Sequence, residues 1–318
     1  MNLKFPKVYW AVSAGLILSG IVCMTAGAVR AESDRKKHLT QQEETFENIS
    51  AFDIFLAEGA VSLEKDSTIT ECMVEITSIS DTIEMDSQDG TLQIRDKRKH
   101  FVQFMNFGFL HPVSTEIKIV VPEQQYQQAK IEIDIGNCSV SGLQMEELWI
   151  DSDVGDCTVA DCGIQTLKLE TSTGNTELKN SSIQEKCILD SDVGAVHAEN
   201  LSCFGETEIK LSTGDCQIEN TTFFGAVQAE NDVGSVDFRN ITLDGSLLLD
   251  TGTGDVSVSV NGKEDDFALE CSSDIGSVTV NQQKTGNIRN SISDTDPRSK
   301  IIISTDVGSI DLVFLNNE

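Results

Sequence analysis

The sequence predicts an all-β fold, a right-handed parallel β-solenoid with rungs of about 20 residues. Apolar residues alternate with polar ones on both sides of a recurring glycine, which is the period of a strand with one buried face. A single repeat cannot bury that face, whereas a stack buries a continuous column. The glycine recurs at nearly constant spacing and, after a longer interval, a last time, at Gly136, Gly155, Gly174, Gly194, Gly214, Gly234, Gly254, Gly276 and Gly308.

Four columns of the repeat are predicted to point inward. They lie two and four residues after the glycine and five and seven residues before it. In one repeat they are Cys157, Val159, Ile150 and Leu148. Each repeat is therefore predicted to contain two short strands with glycine at the corner between them, where the lack of a Cβ makes the turn easy. Parallel strands joined by right-handed connections are strongly favoured, and this gives the predicted hand.

Asparagine marks a second predicted corner. Asparagine tolerates the left-handed conformation, and stacked side-chain amides can bond along the axis. The asparagines lie 20 residues apart, and Ser141 and Asp161 take the same place in earlier repeats, before Asn180, Asn200, Asn220 and Asn240.

The two residues before each glycine alternate between repeats. Asp-Val precedes Gly155 and Gly194, for example, whereas Ser-Thr precedes Gly174 and Gly214. One interpretation is 20-residue rungs whose outer residues alternate, and we adopt it. The other is a wider 40-residue coil with two kinds of corner.

The N-terminal part predicts a membrane anchor. Residues 1–7 form a tail, residues 8–29 an uninterrupted apolar run, residues 30–44 a linker and residues 45–318 the solenoid. As a helix the run would extend about 33 Å, enough to cross a bilayer once. A cleaved signal peptide is the alternative. Basic residues on both sides are too balanced to fix the orientation.

The sequence before the regular repeats has a less regular pattern of apolar residues. Residues 45–94 are predicted to form the first coils or a cap. The loop that follows, residues 96–114, is interpreted either as a hydrophobic cap over the open end of the stack or as a surface that contacts lipid headgroups or a partner membrane protein. Its candidate interaction residues are Lys97, Arg98, Lys99, Phe101, Phe104, Phe107 and Phe109. A second segment, residues 286–300, is predicted to be a polar surface loop that delays the final rung at Gly308.

Charge and cysteine usage narrow the class of protein. The formal net charge is −29, with 52 acidic and 23 basic residues, which argues against a nucleic-acid partner. Most of the nine cysteines fall in or near apolar columns, so we interpret them as buried core thiols. A structural disulfide is the alternative, and the spacing gives no zinc motif.

No catalytic residue, metal site or cofactor is predicted. The four histidines, at positions 38, 100, 111 and 197, have neither metal-ligand spacing nor a neighbouring nucleophile. Acidic pairs such as Asp151 with Asp153 and Asp190 with Asp192 could offer oxygen ligands to Ca²⁺. We interpret them as a solvated acidic edge. A polysaccharide-active enzyme using such acids is a third hypothesis, disfavoured because every rung repeats them.

Two strand patterns, at residues 117–122 and 131–143, are followed by alternating Asp-Val-Gly and Ser-Thr-Gly motifs. Together they resemble the bacterial putative adhesin family, domain of unknown function 4097, which is related to toast-rack domains. The resemblance covers about residues 45–318 and implies a β-solenoid on the bacterial envelope without catalytic residues.

We therefore expect a non-enzymatic, adhesin-like binding or scaffold protein on the cell membrane. Its expected partners are the membrane, through the N-terminal helix, and an envelope protein or surface ligand. The solenoid is expected outside the cell. The alternative is an envelope-stress regulatory module that acts through a partner membrane protein.

Overall fold

The computed structural model describes residues 40–78, 82–97, 115–291 and 299–315. These ranges are built almost wholly from β-strands, and one 3-10 turn, Glu264–Asp266, is the single helical element within them. None of their elements is a helix that could cross a membrane. The predicted anchor, residues 8–29, lies outside the described residues, and the predicted boundary at residue 45 falls inside the first strand.

The N-terminal end of the stack mixes parallel and antiparallel pairing. β2 and β3 pair in parallel with β6 and β7, while β5 covers β6, β4 covers β7 and β1 covers β4, all antiparallel. Residues 45–94 thus supply both a coil and a cap. The strands of this end are β1 (Thr40–Phe46), β2 (Ala51–Leu56), β3 (Gly59–Lys65), β4 (Cys72–Ser78), β5 (Ile83–Gln88), β6 (Thr91–Asp96) and β7 (Thr115–Val121).

The middle of the molecule is a ladder of parallel strands in two walls. The strands are β8 (Gln125–Ile135), β9 (Cys138–Ser141), β10 (Gln144–Val154), β11 (Cys157–Ala160), β12 (Gly163–Thr173), β13 (Thr176–Lys179), β14 (Ser182–Val193), β15 (Val196–Glu199), β16 (Ser202–Cys203), β17 (Glu206–Thr213), β18 (Cys216–Glu219), β19 (Thr222–Phe223), β20 (Val227–Val233), β21 (Val236–Leu243), β22 (Leu247–Thr253) and β23 (Val256–Asn261). We call the strands before each corner glycine the long wall and those after it the short wall. Each pairs with the equivalent strand of the next repeat, as Ile209 does with Ala229. This confirms rungs of about 20 residues over the 40-residue coil.

The C-terminal end departs from chain order. Its strands are β24 (Phe267–Ile275), β25 (Val278–Val280), β26 (Gln283–Gly286), β27 (Ile288–Ser291), β28 (Ser299–Val307) and β29 (Ile310–Leu315). β28 and β29 pair in parallel with β22 and β23 on one side and with β24 and β25 on the other. The prediction that Gly308 closes the stack is therefore wrong, because its rung lies between the rungs of Gly254 and Gly276.

Residues 286–300 are also not simply a surface loop. They contain β27 and the start of β28, with residues 292–298 outside the described part. β26 and β27 pair antiparallel with β25 and β24 and cover this end of the stack.

The contacts between the corner glycines give the spatial order of the rungs. A Cβ built on Gly155 would lie 1.8 Å from the carbonyl oxygen of Gly136, and one on Gly174 would lie 2.0 Å from that of Gly155. The same contact links the rest of the column in the order Gly59, Gly136, Gly155, Gly174, Gly194, Gly214, Gly234, Gly254, Gly308 and Gly276. The backbones therefore touch at every corner, and most of these glycines also have φ between +142° and +158°.

The four predicted inward columns are buried throughout the stack. A fifth inward column was not predicted because its residues are polar. It lies three residues before the glycine and contains small hydroxyl or amide side chains in most rungs, among them Ser152, Thr171, Ser191, Asn231 and Thr251. Some bond the corner backbone, as the Asn231 side chain does by donating to the Gly214 carbonyl at 3.1 Å.

The asparagine corner is confirmed. Asn180, Asn200, Asn220 and Asn240 have φ between 48° and 56°. The Asn200 amide donates to the Asn180 side-chain oxygen at 3.1 Å, and Asn240 donates to Asn220 at 2.7 Å. Ser141 does not take this place, because it ends β9 and the left-handed residue is the next one, Gly142, with φ of 76°.

A third corner appears in the later rungs, where three strands rather than the predicted two form a rung. Gly205, Gly225 and Gly245 stack there as the first column does, and a Cβ on Gly225 would lie 2.1 Å from the Gly205 carbonyl oxygen. Their spacing of 20 was a usable signal in the sequence.

Candidate interaction surface

The candidate interaction loop lies at the N-terminal end of the stack. Its described flanks are Lys97, which follows β6, and Thr115, which begins β7. Thr115 pairs with Gly59, so β7 begins beside the glycine corner between β2 and β3. Lys97 is exposed, its amide donates to the Thr82 carbonyl at 3.0 Å, and its ammonium pairs with Glu84. The other candidates, Arg98, Lys99, Phe101, Phe104, Phe107 and Phe109, lie outside the described residues.

β1 belongs to this same end of the stack. It pairs with β4, which pairs with β7, so Thr40 and Thr115 lie on the two sides of β4, at the end of that strand that carries Ser78. The segment that leads back to the apolar run and the candidate loop therefore leave the domain at the same end.

A second surface feature is a ridge of exposed β-branched residues directly before the corner glycines. Val154, Val193 and Val233 are each about half exposed. In stack order the row, which we call the β-branched ridge, is Ile135, Val154, Thr173, Val193, Thr213, Val233, Thr253, Val307 and Ile275. Valine and threonine alternate from Val154 to Val307, a regularity that chain order hides because Ile275 intervenes.

The acidic pairs face solvent on the long wall. Glu132, Asp151, Glu170 and Asp190 occupy one row in four successive rungs. Burial, followed by the charges of Glu170, Asp153 and Glu132, raises the pKa of Asp151, and burial with Glu170 and Asp192 does the same for the pKa of Asp190. In the described ranges no group of three or more ligating side chains is placed to hold a metal ion.

Trp149 is the centre of a clamp across three rungs that was not predicted. The ammonium groups of Lys130 and Lys168, from the rungs on either side, lie 4.4 and 5.3 Å from its ring. The indole donates to Glu170 at 2.9 Å, and Glu170 also pairs with Lys168 at 2.8 Å. The chain's own cations occupy the positions that a cationic ligand would take. The 19-residue spacing of these three residues was the signal that could have revealed the clamp.

An exposed aromatic pair stands at the third corner. Phe204 and Phe224 stack with ring centroids 4.7 Å apart and planes inclined by 5°. They are 45% and 44% exposed. The pair places two stacked apolar rings on the surface at this corner.

Comparison with known proteins adds a family match. A sequence model described as Toastrack DUF4097 matches residues 53–313. No protein of curated function matches the chain.

Several solved structures resemble the fold. One from Bacteroides fragilis, described as a putative adhesin, is 16% identical, covers 86% of this chain and 96% of its own, and has a TM-score of 0.45. A putative adhesin from Parabacteroides merdae is 12% identical, with coverage of 85% and 95% and a TM-score of 0.39. A chain from Parabacteroides distasonis, described as a putative lipid binding protein, is 12% identical, with coverage of 87% and 97% and a TM-score of 0.33. Such values do not transfer a function to this chain.

Proposed function

This chain belongs to the Toastrack DUF4097 family, and from that premise we propose that it is a membrane-anchored, non-enzymatic binding or scaffold module of the bacterial cell envelope. Residues 8–29 cross the membrane once, and the solenoid, wound with a right hand, stands outside the cell. Its acidic rows recur along the stack, which suits a repeated surface better than a single catalytic centre.

The observation that carries this proposal is the position of the two N-terminal connections. Thr40 and the flanks of the candidate loop lie at one end of the stack. Residues 30–39 span at most about 35 Å when fully extended. An anchored domain would therefore stand with this end toward the bilayer, and the β-branched ridge would run away from the membrane.

In this arrangement the loop of residues 98–114 lies within reach of the bilayer surface. Its basic and aromatic residues suit contact with lipid headgroups or with a neighbouring membrane protein. The second contact favours the alternative function, a regulatory module acting through that protein. The described strands β1, β4 and β5 already cover the end edges, which weakens the need for the loop as a cap.

Topology mapping tests the proposed location. Protease added to intact, wall-stripped cells should digest the solenoid, while a cytoplasmic marker protein stays whole. Digestion only after lysis would place the domain inside the cell and defeat the adhesin-like role.

Deletion of residues 101–109 tests the loop. We expect an unchanged melting temperature and a loss of association with the membrane surface or partner. A lower melting temperature or aggregation would instead identify the loop as a cap, because exposing the end of a stack promotes edge pairing.

A further inference from the structure

The β-branched ridge concentrates the exposed apolar side chains of the molecule. Of the ten large hydrophobic side chains that are exposed in the described ranges, six lie in this one row, and they are between 43% and 69% exposed. They are Ile135, Val154, Val193, Val233, Val307 and Ile275. With one residue per rung at about 4.8 Å, the row is about 40 Å long. Contiguous exposed apolar surface of this kind marks an interaction site, whereas scattered single residues do not.

Acidic residues alternate between the two sides of the ridge. We call the residue two before each corner glycine the long-wall flank and the residue one after it the short-wall flank. In the five successive rungs from Gly194 to Gly308, an acid lies on only one flank, and the side changes at every rung. The long-wall flank reads Asp192, Ser212, Asp232, Gly252 and Asp306, and the short-wall flank of the same rungs reads Ala195, Asp215, Ser235, Asp255 and Ser309.

The acids of the short-wall flank are held by the next rung. Asp215 accepts a hydrogen bond from the backbone N–H of Ser235 at 2.8 Å, and Asp255 accepts one from the backbone N–H of Ser309 at 2.8 Å. Each carboxylate therefore points along the stack, and the threonine of the ridge in the same rung stays exposed. The alternation of acids is thus a fixed feature of this surface.

We propose that the β-branched ridge is the interface of a parallel homodimer, in which the ridges of two copies face each other at the same height. A twofold axis parallel to the stack turns the long-wall flank of one copy toward the short-wall flank of the other. In the five rungs from Gly194 to Gly308, every acid then faces an alanine, a serine or a glycine. Asp192 of one copy faces Ala195 of the other, for example, and each ridge valine meets the same valine of the second copy.

The size of this surface fits a weak dimer that a membrane anchor strengthens. The strip from flank to flank is three residue steps wide, about 10 Å. With a length of about 40 Å it offers about 400 Å² per copy, half of the roughly 800 Å² that each partner buries in a stable complex. Anchoring two copies in one membrane raises their effective concentration and favours such a contact. In this respect the inference rests on the proposed function.

The anchor also selects the parallel orientation. An antiparallel pair would keep these acids apart as well, if its twofold axis passed between the rungs of Thr213 and Val233. Valines would then face threonines, and the N-terminal connections of the two copies would leave from opposite ends. Since the N-terminal connections of a copy leave the stack at one end, two copies anchored in the same membrane meet in parallel.

The test is cross-linking of the full chain in its membrane. Eight of the nine cysteines are buried, so Cys23→Ala provides a background without an accessible thiol. Val193→Cys or Val233→Cys is added to this background, and the membranes are treated with a short bismaleimide that crosses bilayers. Each variant should give a covalent dimer on a denaturing gel. Leu248→Cys is the matched control, because this side chain is also exposed but lies on the outer face of the long wall, and it should stay monomeric.

A mixed experiment tests the orientation. Val154→Cys and Val307→Cys are produced together, one of them with an enlarging tag so that the three products differ in size. The two positions are six rungs apart, about 29 Å. We expect each variant to link to its own kind and not to the other. Links between the two variants in place of self-links would show an antiparallel pair and overturn the proposal.

A substitution in the ridge tests the contact itself. Val193→Asp, combined with Val233→Cys, brings two carboxylates face to face at the axis, and the cross-linked fraction should fall at least about tenfold. The melting temperature should not change, because Val193 is half exposed. Leu248→Asp in the same background should leave the cross-linking intact. Added salt should increase the cross-linked fraction of the unsubstituted ridge, because it screens the repulsion between the two acidic bodies.

The outcomes separate this inference from the proposed function. Absence of self-linked dimers at both Val193 and Val233 in a membrane-bound chain would overturn the dimer and leave the anchor and the exposed solenoid standing. Linkage of these positions to a different protein would overturn it too, since the ridge would then serve another partner. Because the reagent crosses bilayers, a solenoid inside the cell would still be cross-linked. That result would retain the interface and defeat the proposed location.

Discussion

The middle rungs and the end rungs of this solenoid are built from the same corner and wall residues but connected differently. From Gly136 to Gly254 each rung stacks on the one before it in the chain. At both ends a rung is inserted out of order: β2 and β3 lie between β6–β7 and β8–β9, and β28 and β29 lie between β22–β23 and β24–β25.

The difference shows how a repeat stack ends. A middle rung finds both neighbours in adjacent sequence, whereas a terminal rung exposes a row of unpaired backbone groups. The chain covers each exposed row with antiparallel strands, β1, β4 and β5 at one end and β26 and β27 at the other. Another segment of the chain must then fill the rung position between the covered strands and the middle of the stack. Local repetition builds the middle, and long-range pairing builds the ends.

The largest expected effect is on a middle corner. Gly194→Ala would drive a Cβ to 1.8 Å from the Gly174 carbonyl oxygen at φ of 148°. We expect a loss of more than about 4 kcal/mol in the free energy of unfolding, measured with denaturant. Gly286→Ala is the matched control at the C-terminal end. It shares the positive φ, at 100°, but meets nothing within 4 Å, and should cost about 1–2 kcal/mol. Equal losses would show that strain, not stacking, fixes the corner.

A second change tests the inserted order. Ile303→Asp places a charge at a fully buried site between Leu249 and Cys271. We expect hydrogen exchange to lose protection in residues 267–280 as well as in residues 299–315, because both rungs depend on this contact. Ile302→Asp, on the outward face of the same strand, should leave protection intact. Retained protection of residues 267–280 in the first variant would mean that their rung stacks directly on that of Gly254.

A smaller effect is expected at the asparagine corner. Asn200→Ala removes an amide that donates to Asn180 and places alanine at φ of 56°. We expect a loss of about 1–2 kcal/mol. Asn200→Gly keeps the conformation and loses only the amide, so it should cost less. The reverse ranking, in denaturant unfolding, would contradict a role for the left-handed corner.

The smallest effects on stability are expected for substitutions in the acidic row, and these effects depend on pH. The raised pKa of Asp151 means that its charge opposes folding above that pKa and that this penalty disappears as pH falls through it. Asp151→Asn should therefore raise stability at pH 7 by a few tenths of a kcal/mol, since the group is partly exposed, and should lose this advantage in acid.

Glu170→Gln is the opposite control. Burial raises the pKa of Glu170, but hydrogen bonds from Lys168 and Trp149 outweigh it and leave that pKa lowered. Its charge stabilises the fold above the ordinary pKa, so this variant should lose stability at pH 7 and match the parent in acid. Denaturant unfolding at the two pH values distinguishes the pair, and equal signs would refute the assignment.

Much of the middle could be predicted because its contacts repeat in the sequence. Leu169 and Leu189 are buried as their columns required, and Asn180 and Asn200 bond along the axis as their spacing indicated. Polar inward residues such as Ser152 were not predicted to be buried, because inward positions were identified by the alternation of apolar residues.

The order of the end rungs could not be deduced from spacing alone. The glycine steps of 22 and 32 residues around Gly276 fit either order. The clue was Val307, which continues the valine and threonine alternation after Thr253 better than Ile275 does. Gly59 was a similar case, since Phe52, Ile54, Val61 and Leu63 around it match the repeat columns.

The inserted position of β28 and β29 has a mechanical consequence for a tethered protein. A last strand at an open edge would peel away one hydrogen bond at a time when its end is pulled. Here β28 and β29 are hydrogen-bonded along both edges, to β22 and β23 on one side and to β24 and β25 on the other. A load applied along these strands at the C-terminus must shear two ladders in each wall together.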